Sequence, residues 1–130
     1  MLESNVGGLP YLTIKKDWGN SQQVSSLNGV DTHRIKVIPD GYCSVHRHVI
    51  KNNLFYLMSG WLKVSLGSVS DSVFMLDTAI DLLPGEQCLV PAGVWHYFKA
   101  GTMAADALEI YWAETSDDDI ERLCPGGVRG

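Results

Sequence analysis

Two histidines one residue apart, His46 and His48, are the residues of this chain best spaced to bind a single ion. In an extended strand, side chains i and i+2 share a face, so both imidazoles can reach one ligand from the same side. Imidazole is a common ligand for zinc, iron, copper and nickel. Taken alone, the pair reads more readily as two solvated or hydrogen-bonded histidines. Its context is richer: His46-x-His48-x4-Asn53-x6-Gly60 is followed, after a long hairpin, by Gly85-x5-Pro91-x-Gly93-x2-His96, which brings up a third histidine behind a Pro-Gly turn.

Elements that can hold such a set are legible around it. Gly and Pro punctuate the 130 residues at short intervals, among them Gly19-Asn20, Asn28-Gly29, Pro39-Asp40-Gly41, Ser59-Gly60 and Pro84-Gly85. Between them lie short runs rich in β-branched and aromatic residues, which predict strands over 33–38, 54–58, 61–66, 72–76, 87–90, 95–99 and 108–112. In the third run Leu62, Val64 and Leu66 alternate with Lys63 and Ser65, as a half-buried strand requires. Many short strands at regular spacing suggest a sandwich or barrel. A single helix is expected at 116–123, where Ser116 caps and Asp117 to Asp119 complement the helix dipole. No repeat or linker interrupts the chain, so 1–130 is expected to be one domain with its core at about 30–113.

At this point the sequence resembles the cupin family. Its first motif reads Gly, a short gap, His-x-His, Glu, Gly; its second reads Gly-x5-Pro-x-Gly-x2-His. The resemblance implies an all-β, double-stranded β-helix (a jelly-roll barrel) with its histidine-bearing strands facing inward on one divalent metal ion, Zn, Fe, Mn or Ni. His46, His48 and His96 would be its ligands, with Asn53 at the fourth position. One branch is similar over more of the chain. Lys16-Asp17-Trp18-Gly19-Asn20, the Pro39-Asp40-Gly41 turn and Ser116-Asp-Asp-Asp-Ile-Glu-Arg122 look like landmarks of the cupin domain of type II mannose-6-phosphate isomerases. Together these span roughly residues 15 to 122, without the fused nucleotidyltransferase domain of many such enzymes.

The departures shape the functional reading. Where cupins place a Glu ligand this chain has Asn53, and a carboxamide neither adds charge to an ion nor shuttles a proton at neutral pH. Ala100 stands where the second motif often ends in Asn. Lys51 occupies the position of a basic residue in the isomerase branch; it either faces a phosphate or carboxylate or is a solvated loop lysine. Strand parity puts Tyr42, Ser44, His46 and His48 on one inward face, Asn53, Phe55 and Leu57 opposite, and Phe98 beside His96. The expected substrate pocket is therefore Tyr42, Ser44, Lys51, Phe55 and Phe98. Trp61, Trp95, Trp112 and Tyr111 read as packing, and His33 as surface or structural.

Three function classes fit: a metal-dependent, isomerase-like enzyme on a sugar or sugar phosphate, a three-histidine iron-dependent dioxygenase, and a non-catalytic module that binds metal or a small polar metabolite. With a formal net charge of −5 and no basic run, nucleic acid is not expected as a partner. Three cysteines at spacings of 45 and 36 residues form neither a zinc knuckle nor a closed disulfide framework. Neither a signal peptide nor a membrane span is indicated, and a cytoplasmic protein is expected. The low-charge segment Leu9-Pro-Tyr-Leu-Thr-Ile14 is a candidate dimer strand, so a homodimer is expected.

Overall fold

Hairpins build this chain, and their turns show why. Strands β2 (Gly19–Leu27) and β3 (Val30–Val37) pair through Leu27 and Val30, leaving a two-residue loop of Asn28 and Gly29. Both loop residues have positive φ, 54° and 78°, the primed turn whose twist matches its flanking strands. β7 (Leu62–Ser70) and β8 (Val73–Leu82) close in the same way over Asp71 and Ser72. The structure, a computed structural model, describes residues 12–113 and 120–129.

The strands form two antiparallel sheets. One has the order β1 (Thr13–Lys16), β2, β3, β11 (Ala105–Trp112), β6 (Asn52–Ser59), β9 (Gln87–Val90). The other centres on β10 (Trp95–Ala100), with the β7–β8 hairpin on one side. On its other side lies an interrupted strand, β4 (Gly41–Tyr42) and β5 (Val45–Arg47), backed by β13 (Gly127–Val128) and β12 (Glu121–Cys124). Alternation decides what lies between the sheets. β6, β10 and β11 bury every second residue, and Ile35, Phe55, Leu57, Leu62, Val64, Phe98 and Ala107 meet in one core. Each is shielded from water on a face that its strand's pleat selects.

All seven expected strands are present, and the all-β jelly-roll class holds. Three expectations change. No ladder joins the two sheets among the described residues, so the expected barrel is an open sandwich. Gly19-Asn20 begins a strand rather than marking a break; β2, with Ser21, Gln22, Gln23, Ser25 and Ser26, has too little apolar alternation to announce itself and is recruited by β3. The helix of 116–123 is not formed in its second half. Glu121 to Cys124 are strand β12 on the edge of β5, while Ser116 to Asp119 lie outside the described residues. A short helix is marginal by itself. An open strand edge offers ladder hydrogen bonds, and Arg47 adds an ion pair to Glu121 at 2.9 Å.

Candidate metal centre

His46 on β5 and His96 on β10 are direct register partners, so the ladder itself sets their imidazoles side by side. Their ring centroids are 4.5 Å apart. His48 follows the end of β5 and closes the triangle, 5.2 Å from His46 and 5.7 Å from His96. One ring nitrogen from each of the three lies within 4.8 Å of the others, and all three residues are buried. The two motif segments are locked together by backbone. Gly93, at φ 86°, turns the β9–β10 loop so that its N–H donates to the His48 carbonyl at 2.7 Å. In the same loop Ala92 N–H donates to Asn52 Oδ1 at 3.0 Å.

The protonation pattern follows from these contacts. His46 Nδ1 donates to the Ser44 carbonyl at 2.7 Å and His96 Nδ1 to the Val94 carbonyl at 2.9 Å. With Nδ1 carrying the proton, Nε2 of each ring keeps its lone pair, the tautomer that metal-ligating histidines use. His96 Nε2 is buried with no hydrogen-bond partner among the described residues. Burial pushes His96 down to about 4, with His48 adding a repulsive contribution. His46 is likewise held well below its usual range, by burial first and then by His96 and His48. All this fits a metal ion: buried, neutral imidazoles converge, and one donor atom is otherwise unsatisfied.

Asn53 is fully buried on β6, and its amide serves a partner that the sequence did not announce. Nδ2 donates to Glu109 Oε2 at 3.0 Å, while Oδ1 has no hydrogen-bond partner among the described residues. Glu109 and Tyr111 sit on β11, the neighbouring strand, and Tyr111 is the register partner of Asn53. Burial raises the Glu109 carboxyl, opposed by hydrogen bonds from Tyr111 and Asn53. Burial and then the Glu109 charge push the Tyr111 phenol well above its usual range. The Tyr111 ring packs edge-on against His48 at 5.0 Å. This chain thus lacks a carboxylate at position 53 but carries one across the ladder, beyond the histidine cluster.

A cavity of about 500 Å³ opens beside these groups, lined among others by Trp18, Ser44, His46, Phe98, Glu109 and Tyr111. Ser44 and Phe98 are where parity put them. Phe55 lies behind the wall, its ring 6.2 Å from His96 and 5.8 Å from Phe98. Tyr42 does not line the cavity: its ring lies under the Arg129 guanidinium, at 4.5 Å, and it pairs with Gly127. The reason is a bulge. Tyr42 pairs with Lys99 and His46 with His96, so four steps on one strand oppose three on the other. Parity therefore slips, and Cys43 takes the inward place. Lys51 also lies off the cavity wall, its Nζ 5.4 Å from the centre of the Tyr111 ring. His33, read as surface or structural, lines the cavity and meets Tyr111 edge-on at 5.5 Å. Tyr111, read as packing, is a wall residue. The available signal was Glu109, an acid inside the otherwise apolar run 107–112 of β11.

Comparison with solved structures places this geometry. Oxalate decarboxylase from Bacillus subtilis superposes with a TM-score of 0.73 at 15% identity, over 87% of this chain and 30% of the decarboxylase. KdgF from a Halomonas species gives 0.69 at 14% identity, over 82% of this chain and 90% of KdgF. Streptomyces PAC13, solved with uridine, gives 0.67 at 12% identity, over 85% of this chain and 82% of PAC13. The chain has the cupin fold. None of these three cupins is a mannose-6-phosphate isomerase, and at such identities the likeness extends to the fold alone. This chain spans less than a third of the decarboxylase's length. No protein-family model matches its sequence, and no curated protein matches it. No helix among its described residues is long and apolar enough to cross a membrane.

Proposed function

We propose that this cupin binds one divalent metal ion through His46, His48 and His96 and acts on a small polar metabolite, a sugar or sugar phosphate, by isomerase-like chemistry. The convergence of three buried imidazoles on one point carries the reading. When bound, such an ion polarises a carbonyl or hydroxyl and eases proton removal at the neighbouring carbon. The protein supplies the rest. The backbone carbonyls of Ser44 and Val94 fix the ring tautomers. Glu109, held by Asn53 and Tyr111, faces the cavity as the carboxyl that position 53 lacks, and Trp18 and Phe98 wall the cavity. A second reading, a three-histidine iron-dependent dioxygenase, is favoured by the absence, among the described residues, of a carboxylate from the nitrogen cluster. A cytoplasmic homodimer paired through the Leu9–Ile14 segment, whose residues 9–11 lie outside the described residues and whose end enters β1, completes the proposal.

Elemental analysis of protein purified without added metal tests the core of it. Near-stoichiometric metal in the wild type and its loss in a folded His96→Ala variant are expected. Substoichiometric metal throughout would overturn the metal reading and leave a metabolite-binding module. Aldose–ketose conversion of D-mannose 6-phosphate, followed by NMR, supports the isomerase reading; bound iron with substrate-dependent oxygen uptake would replace it with the dioxygenase. Sedimentation as a monomer at micromolar concentration would remove the dimer.

A further inference from the structure

The cavity is not electrically neutral, and its two cations, Lys16 and Arg122, lie outside the two histidine-bearing motifs. Arg122 stands on β12 directly opposite His46 in the ladder, and its side chain lines the cavity with His46 and Ser44. Its Nε donates to Ser44 Oγ at 2.9 Å, which orients the guanidinium. Arg34 and Arg47 spend their charge on Asp106 and Glu121. Arg122 has no carboxylate within ion-pair distance among the described residues, and Nε makes its only hydrogen bond there. Lys16 reaches the same cavity from β1, the edge of the other sheet, and with Arg122 also lines a smaller recess beside it. Asp17 lines that recess, and the one carboxylate among the described residues of the larger cavity, Glu109, is already hydrogen-bonded by Asn53. A chain of net charge −5 thus presents two cations, from two sheets, to a sugar-sized cavity.

Building on the reading of this cavity as a small-metabolite site, we propose that it selects an anionic metabolite, whose carboxylate or phosphate is held by Arg122 and Lys16 beside the histidine cluster. A guanidinium presents paired N–H donors that match an oxyanion, and its charge cannot be titrated away. A cavity of about 500 Å³ leaves room for the rest of such a molecule to reach His46. The anion-binding role that the family resemblance offered to Lys51 passes to residues on β1 and β12.

Calorimetric titration of metal-free protein with D-gluconate, D-mannose 6-phosphate and neutral D-mannose tests this. At least one acid should bind tenfold or more tightly than mannose, and which one it is separates a carboxylate from a phosphate site. Raising sodium chloride should weaken the acid and leave mannose unchanged. Arg122→Gln should weaken the acid by roughly 10- to 100-fold, the usual weight of hydrogen bonds to a charged group. Arg122→Lys should recover part of the loss, and Lys16→Gln should show a smaller one. Because Arg122 also ties β12 to Ser44, a Ser44→Ala variant keeps the guanidinium and releases its anchor; partial loss is expected. If Arg122→Gln does not fold, Lys16→Gln and the salt series decide. Equal binding of mannose and the acids, no acid binding by folded wild type, or unchanged affinity in folded Arg122→Gln would each overturn the proposal. Zinc titration of folded wild type separates the two readings, because zinc uptake reports the histidine cluster and acid binding reports Arg122 and Lys16. A wild type that binds the acid but no metal would overturn the metal reading alone.

Discussion

Replacing Asn53 by Asp changes one atom of the side chain and reverses its role toward Glu109. In the native protein the Asn53 amide donates to the Glu109 carboxylate at 3.0 Å, in a place where Asn53 is 0% exposed. Water cannot replace that donor, so the loss belongs in the upper part of the range for a hydrogen bond to a charged group, about 2–3 kcal/mol. The variant also sets two carboxyl groups together in a buried site, where one must keep its proton. The sign follows from that proton. A buried acid whose folded pKa is raised gives up stability as pH climbs from its unfolded value through its folded one. The native Glu109 is already shifted this way by burial, and a neighbouring carboxyl shifts it further. Asn53→Asp should therefore cost about 2–3 kcal/mol at pH 7.5, and less at pH 5.5, where a shared proton restores an O–H to O contact. For a domain of this size the loss at pH 7.5 is a fall of roughly 5–15 °C in melting temperature. Urea unfolding of metal-free protein at the two pH values measures it. Unchanged stability at pH 7.5, or an equal loss at both, would show that Asn53 and Glu109 are not coupled.

Metal-free wild type should lose stability as pH falls below 6.5, because the unfolded chain takes up a proton on His96 that the fold refuses until about 4. His96 alone accounts for roughly 3 kcal/mol over that window, readable by urea unfolding at pH 7 and pH 4; saturating zinc should steepen the fall, since protonation displaces it. Gly93→Ala meets no atom within 4 Å but forces Ala to φ 86°, at a cost of about 1–2 kcal/mol; the same change should weaken zinc binding, because that turn carries the N–H that fixes His48 against the His96 loop. Calorimetry and thermal melts of this variant check both effects, and a loss of stability with unchanged zinc affinity would detach the turn from the site.

Local chemistry made much of this protein readable from its sequence. Short β-rich runs between Gly and Pro breaks marked seven strands, Asn28-Gly29 marked one of those breaks, and the i, i+2 histidines with the Pro-Gly turn before His96 marked the metal cluster. Each depends on residues adjacent along the chain, whose geometry neighbours alone determine. What stayed hidden depends on who sits across a ladder. β12 is a strand because β5 has an open edge for it, against a local helix signal. Tyr42 leaves the pocket because β4 and β5 slip one residue against β10. Glu109 meets Asn53, 56 residues away, and Arg122 meets Ser44, 78 residues away, through pairings that no local pattern encodes. The sequence by itself determined seven of the strands and the three imidazoles. Which carboxyl and which cations surround them was decided by the order and register of the strands, because backbone hydrogen bonds between distant segments choose the neighbours on a sheet's face.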